Sequence, residues 1–330
     1  MLAREAGMII VTGGAGFLGS ALVWGLNEAG RDDILVVDNL GHGEKWKNLV
    51  NRRYADYLHK EAFLTAIAGG DDPFGATAVV HLGACSSTTE TDAEYLMRNN
   101  FAYSRTVARY ALAHGARLVV ASSAATYGDG AEGFDDDPAG LDRLKPLNMY
   151  GYSKHLFDLW ARREGLLGKL ASLKFFNVYG PNEYHKGEMR SVVCKAFRQI
   201  RETGRLKLFK SYREAYPDGG QQRDFLYVKD AVAVMGWLLG HPEVGGILNV
   251  GSGAARTWND LASAVFAAMD RPKGVEYVEM PEALRDKYQY FTEAPLGRLR
   301  AAGYDRAFAS LEDGVADYVR GYLAGADPYL

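Results

Sequence analysis

The sequence predicts an α/β protein, a doubly wound parallel sheet covered by helices with a smaller α/β region behind it. Three observations carry that expectation. Short β-branched, apolar runs recur through the first half without polar alternation, as in strands covered on both faces. Helical patterns separate these runs, so each crossover returns to start a parallel neighbour. A glycine-rich turn, Gly13 to Gly19, joins the first run to the first helical pattern.

Each element has its own warrant. Met8–Thr12 (MIIVT) is a buried strand next to glycines, and Phe17–Ala29 has helical periodicity. Ile34–Asp38 (ILVVD), Ala78–Leu82 (AVVHL) and Arg117–Ser122 (RLVVAS) read as the next three strands. A long helix is expected over Ala93–His114, another over Met149–Glu164, and a strand over Leu173–Val178. After about Gly180 the pattern loosens. Helices are expected at Glu188–Gly204, from about Lys229, at Trp258–Met269 and at Ala309–Leu323. Strands are expected at Asp224–Val228 and Ile247–Val250, and a polar loop over 210–223.

Composition bounds the function. At ~150 residues per domain, 330 residues suggest two folding units. A content of 48 % hydrophobic and 24 % charged residues excludes disorder. A net charge of −3 provides no basic field for nucleic acid or anionic membrane. No apolar run reaches the ~20 residues of a bilayer span. Met1 to Gly7 and the brief apolar run after them do not make a signal segment. Two cysteines, Cys85 and Cys194, make neither a disulfide framework nor a zinc cluster, and no His–acid pair has metal-ligand spacing. A cytoplasmic protein with no metal, nucleic-acid or membrane partner is expected.

The glycines of Thr12-Gly-Gly-Ala-Gly-Phe-Leu-Gly-Ser20 have distinct tasks. Gly13 permits the tight turn, Gly16 lets backbone approach a pyrophosphate, and Gly19 lets helix and strand pack closely. The helix start then offers free N–H groups to phosphates. Asp38 ends the second strand, 19 residues past Gly19, where an acid bonds a ribose 2′-hydroxyl and favours NAD. Yet His42, Lys45 and Lys47 follow, and Lys60 lies further on; a cation there favours the 2′-phosphate of NADP. These residues divide evenly between the two cofactors.

Tyr150 and Lys154 are four apart and share a helix face. A lysine beside a phenol favours phenolate, so Tyr150 is expected to have a lowered pKa and to act as base for a substrate hydroxyl. Ser123, just past the fourth strand, is placed to hydrogen-bond the same oxygen. Tyr152 is expected to pack or line the pocket. Cys85 reads as packing rather than as a nucleophile, and His81 and His185 as structural or solvent-facing.

TGGAGFLGS, the Ser123 motif ASSAATYG and YGYSK together resemble the extended short-chain dehydrogenase/reductase family, over nearly the whole chain. The resemblance implies a Rossmann-type NAD(P)-binding domain over 8–178, with segments near 224–252 returning to it. It implies a mainly substrate-binding region over 179–330. It also implies a tightly held cofactor and transient oxidation of a nucleotide-sugar. Longer stretches, GACSSTTE, PLNMYGYSK, FNVYGPNEYHKG, YQYFT and LRAAGY, are similar to the branch that inverts carbon 6 of an ADP-linked heptose for lipopolysaccharide core synthesis. That branch generally uses NADP and assembles as a homo-oligomer, a ring of about five subunits.

The resemblance also implies site roles. Gly13, Gly16 and Gly19 would hold the pyrophosphate, with Phe17 and Leu18 in the same turn. Asp38, Asn39, Lys45 and Lys60 would surround the adenosine end. Leu82, Gly83, Ala84, Cys85, Ser86, Asn99, Lys154 and Val178 would line the rest of the cofactor. Tyr150, Lys154 and Ser123 would serve catalysis, and Lys186 would be a second acid/base touching substrate. Asn177 and Glu188 would face the sugar. Lys195, Phe209, Lys210, Ser211 and Tyr212 would face the nucleotide, Arg223 its phosphates, and Tyr288 would close the pocket. The sequence departs from the branch at Leu82, where an acid is usual, and over 210–222, where the loop is longer.

Three rivals remain. A UDP-hexose 4-epimerase is expected to lack HKG and GACSSTTE. A sugar 4,6-dehydratase needs an acid and a base where Ala124 and Ala125 stand. A non-catalytic NAD(P)-sensing protein would have no use for the Tyr150–Lys154 pair.

Overall fold

A computed structural model of the chain describes residues 7–285 and 288–330; the expectation about the start of the chain falls largely on 1–6, outside them. In chain order the strands are β1 (Met8–Thr12), β2 (Ile34–Asp38), β3 (Asp56–His59), β4 (Ala76–His81), β5 (Arg117–Ser123), β6 (Leu170–Phe175), β7 (Asn177–Tyr179), β8 (Leu206–Phe209), β9 (Gln222–Tyr227), β10 (Gly246–Val250), β11 (Ala255–Thr257) and β12 (Val275–Val278). The principal helices up to residue 268 are α1 (Phe17–Glu28), α2 (Lys60–Ile67), α3 (Ala93–Leu96), α4 (Tyr103–Ala113), α5 (Met149–Arg163), α6 (Val192–Thr203), α7 (Val228–Gly240) and α8 (Trp258–Ala268).

Seven strands form one parallel sheet in the order β10-β6-β5-β4-β1-β2-β3. The chain starts at β1, winds out through β2 and β3, then crosses back to β4 and winds the other way. This is the Rossmann-type, doubly wound topology, with its switch point between β1 and β4. Thr12 pairs with Val37 and with His81, so the carboxyl ends of β1, β2 and β4 lie together. Ser123 pairs with Phe175 at the same end of β5 and β6.

The two faces of the sheet bury different residues. Ile9 and Val11 join the core with α1 and α7, while Ile10 joins the core with α4 and α5. Period-two alternation with both sides apolar is why the strands read as unbroken hydrophobic runs. α7 lies so close to α1 that a Cβ on Gly25 would stand 2.3 Å from Val232 Cγ1. Of the 224–252 segment, β10 extends the large sheet and α7 packs on α1. β9 instead joins β7 and β11 in a three-stranded sheet. β8 and β12 form a two-stranded parallel pair.

Four expectations change. The helix over 93–114 is broken by a π-turn at Met97–Ala102 between α3 and α4. The strand over 173–178 is two strands: β6 ends at Phe175, Phe176 N–H donates to Val250 O at 3.0 Å, and β7 turns into the other sheet. The helix expected from Glu188 starts at Val192, where Ser191 caps it, because Gly187 (φ +54°) breaks the preceding 3-10 turn. Tyr152 is exposed and lines no part of the cavity described below.

Candidate active site

The turn after β1 is built by close approach. Gly13 has φ +68°, and a Cβ there would lie 2.8 Å from the backbone of Leu82 and Gly83. A Cβ on Gly19 would lie 2.1 Å from Gly13 O. Gly16 caps α1 and offers no side-chain acceptor, so the first helical N–H groups stay free for an anion. A dinucleotide pyrophosphate fits this cradle: bare backbone, an uncapped helix start, and an acid at the end of β2.

That acid is engaged within the protein. Asp38 Oδ2 accepts from Ala15 N–H at 2.8 Å, and Oδ1 accepts from Asn39 N–H at 2.6 Å and from Lys45 Nζ at 2.7 Å. Lys60 donates to Asn99 Oδ1 at 2.6 Å. A cavity of about 140 Å³ holds Asp38, Asn39, Lys45, Lys60 and Asn99 beside Gly13 and Gly83–Cys85.

A larger cavity of about 610 Å³ opens at the switch point. It gathers Gly13, Gly16, Phe17, Leu18 and Gly19, the strand-end run Leu82–Ser86, and Ser123, Tyr150 and Lys154. Asn177, Val178 and Lys186 complete its wall. The residues the resemblance assigns to the cofactor line one of these two cavities, whereas His42 and Lys47 line neither, Lys47 being paired with Glu44.

α5 starts at Asn148, whose Oδ1 accepts from Gly151 N–H at 2.8 Å, and this seats Tyr150 in its first turn. A Cβ on Gly151 would lie 2.6 Å from Ala125 O, so the helix start rests on the turn that follows Ser123. Burial pushes the Tyr150 phenol up, and the Ser123 hydrogen bond pulls it down. The expected lowering by Lys154 is not what sets this phenol: burial sets the direction, and Ser123 rather than Lys154 supplies the opposing pull. Lys154 donates to Ala121 O at 2.7 Å, and burial pushes its ammonium down to about 8. Lys186 stands 5.4 Å from the centre of the Phe17 ring, with no ion pair among the described residues. Burial lowers its pKa, against the pull of Glu183.

The remaining residues do not line the large cavity. Glu188 pairs with Lys195 at 3.5 Å on the surface. Lys210 and Tyr212 both hydrogen-bond Glu279 and point outward, and Ser211 N–H donates to Asp218 Oδ1 at 2.7 Å. Arg223, Phe209 and Tyr288 do meet: the guanidinium lies 5.2 Å from the Tyr288 ring centre, and Phe209 and Tyr288 are 6.4 Å apart. Trp258 Nε1 donates to Tyr288 Oη at 2.9 Å. Asn177 connects this group to the cavity, donating to Asp224 O at 3.1 Å.

Asn100 was missed by sequence reasoning, which chose its neighbour Asn99. Asn100 is fully buried at the π-turn. Its Oδ1 accepts from Cys85 N–H at 2.8 Å, and its Nδ2 donates to Cys85 O at 3.0 Å and to Ser153 Oγ at 2.9 Å. The Asn-Asn pair was the available signal. His81, bonded to Thr12 and Ser104, is pushed down to about 3 by burial and stays neutral. His185 lines the cavity and is pushed down to about 4.

Comparisons with known proteins agree with this geometry. Residues 9–251 match the NAD dependent epimerase/dehydratase family. ADP-L-glycero-D-manno-heptose-6-epimerase of Nitratidesulfovibrio vulgaris strain Hildenborough is 64 % identical over 98 % of this chain and 100 % of its own length. The crystal structure of the Helicobacter pylori enzyme of that name superposes with a TM-score of 0.79 at 26 % identity, covering 97 % of this chain and 98 % of its own. Thermus thermophilus UDP-glucose 4-epimerase, solved with NAD, gives 0.74 at 25 % identity, covering 97 % and 99 %. No helix among the described residues is long and apolar enough to cross a membrane. The fold, the glycine cradle and these likenesses fit a nicotinamide cofactor and a nucleotide-sugar substrate: the chain belongs to the NAD dependent epimerase/dehydratase family and, within it, to the ADP-L-glycero-D-manno-heptose-6-epimerases.

Proposed function

We propose that the chain converts ADP-D-glycero-D-manno-heptose to the L-glycero epimer through a 6-keto sugar, with NADP bound throughout. The observation that carries this reading is one cavity lined by both Tyr150 and Lys186, two proton-transfer groups from different elements. When bound, the nicotinamide supplies hydride chemistry, accepting a hydride from carbon 6 and returning it. Tyr150 takes the proton of the 6-hydroxyl, while Ser123 holds that oxygen. Lys154, fixed on Ala121 O, keeps a positive charge beneath the helix turn. Carbon 6 is exocyclic, so rotation about its bond to the ring presents the other carbonyl face. Lys186 then exchanges the proton on that side, which an inverting reaction with two bases requires. No net oxidation follows, so the cofactor need not leave.

NADP is favoured over NAD by the adenosine end. Asp38 is already committed to Ala15, Asn39 and Lys45, whereas Lys45 and Lys60 bring two cations to one small cavity. A 2′-phosphate suits that charge better than a hydroxyl. Arg223, with Phe209 and Tyr288, is read as the seat of the ADP part. A cytoplasmic homopentamer serving lipopolysaccharide core synthesis completes the proposal.

The test is epimerisation of ADP-D-glycero-D-manno-heptose by purified protein with no added cofactor, followed by anion-exchange chromatography. The L-glycero product from wild type and near-absence with Tyr150→Phe are expected. Nucleotide released on denaturation should be NADP, and sedimentation should give five subunits. No product after adding NADP or NAD would overturn the heptose assignment, and turnover of a UDP-hexose would replace it.

A further inference from the structure

Residues 327–330 fold back onto the loop that carries Lys186. Leu330 is buried, and its N–H donates to Asn182 Oδ1 at 3.0 Å. Tyr184 Oη donates to Pro328 O at 2.6 Å, and its ring meets Tyr329 edge-on at 5.4 Å. From the other side, Asn51 Nδ2 donates to Asp327 Oδ2 at 2.7 Å, and Arg52 donates to Leu330 O.

Asn182 is the joint. It is fully buried and holds φ +75°, a left-handed conformation uncommon outside glycine that asparagine adopts more readily than most residues. Leu330 N–H supplies one restraint. Asn182 Nδ2 supplies another, donating to Ser20 Oγ at 2.9 Å, which in turn donates to Gly16 O at 2.7 Å. Asn182 O accepts from Asn48 Nδ2 at 3.1 Å, and the same nitrogen donates to Ala15 O at 2.9 Å. The glycine turn, the Lys45–Leu49 turn, the Lys186 loop and the 327–330 segment are therefore tied at one point.

Lys186 is carried by this tied loop. It has no ion pair among the described residues and stands over the Phe17 ring. Its position is set by the backbone of its loop, which Glu183 closes at the far end by accepting from Ser191 Oγ at 2.6 Å. We infer that the 327–330 segment, acting through Asn182 and Tyr184, is a positioning element for Lys186. It holds the loop so that the ammonium reaches the oxygen on carbon 6 of the sugar. The inference rests on Lys186 being the second acid/base.

The experiment compares wild type, a chain ending at Asp327, Tyr184→Phe and Lys186→Met. Each is assayed for kcat, KM, retained nucleotide, melting temperature and the pH profile of kcat. Tyr184→Phe and the shortened chain should keep their nucleotide and their KM. They should lose kcat on the order of tenfold or more, with the pH limb that Lys186→Met abolishes shifted or lost. A loss of stability alone would leave that limb in place. If the shortened chain does not fold, Tyr184→Phe decides. Unchanged kcat and pH profile in a folded Tyr184→Phe, beside a Lys186→Met with reduced kcat and without that limb, overturns this inference and leaves the two-base reading standing. Wild-type activity in Lys186→Met overturns both.

Discussion

Ser123 acts on Tyr150 directly, whereas Lys154 brings its own depressed charge to the same cavity. Burial raises the phenol, and the Ser123 bond is the pull that opposes it. Removing that bond moves the phenol further up. In Ser123→Ala the rising, low-pH limb of kcat/KM should therefore move to higher pH, with kcat down on the order of 10²-fold. An unmoved limb would mean that Ser123 only packs. Lys154 sets the other side: its ammonium is depressed to about 8, so its charge is present below that pH and fades above it. The linkage to stability has the opposite sign. Between about 8 and ~10.4 the folded lysine is neutral while the unfolded one stays protonated. The unfolded state then binds more protons, and this residue's contribution to stability rises with pH across that window. The YxxxK spacing placed both residues on one face, but it carried no information on enclosure, so the direction of the tyrosine shift was legible only in three dimensions.

At the scale of elements, what was legible depended on how local the cause was. α1 and its three glycines were readable because each glycine answers to a contact within the same turn or its neighbouring strand. The π-turn at Met97–Ala102 was not, because its cause lies elsewhere in the chain. Asn100 must face the Cys85 backbone and Ser153 together, and an ordinary helical turn is widened to let it do so. The break between β6 and β7 is also non-local: Phe176 N–H completes the β6–β10 ladder on Val250 O, and the next residues pair with β9 in the other sheet. Asn100 therefore serves as a test of whether the π-turn is held by side-chain bonds. Asn100→Ala strands the buried N–H of Cys85 and frees the start of α5 from the strand end. Urea unfolding should show a loss of about 1–3 kcal/mol, with weaker retention of nucleotide because Cys85 lines both cavities. No change in stability would assign the widened turn to helix packing alone.

Across the whole molecule, the site draws on segments that are far apart in sequence and meet at one end of the sheet. The large sheet supplies the cofactor side, and its short motifs could be read one at a time. The proposed substrate side would draw on β7, β8, β9 and the run around Tyr288, which meet only through long-range packing. Most substrate residues inferred by resemblance accordingly fell outside the main cavity, with Glu188 and Lys195 paired at the surface. Arg223 is the most informative of these residues. It is buried, its guanidinium lies near Tyr288 and Trp258, and it donates to the carbonyls of Gln222 and Gln289. A group outside the cavity that holds Tyr150 contributes binding that is equal in ground and transition states, so it should act on KM rather than on kcat. Arg223→Lys keeps the charge but loses the planar fork that grips two phosphate oxygens and stacks on rings. Steady-state kinetics with the ADP-sugar should show KM raised on the order of tenfold, a loss of about 1.4 kcal/mol, with kcat little changed. A fall in kcat at constant KM would instead place Arg223 in the support of the reacting centre, and the ADP seat would have to lie elsewhere on the 179–330 region.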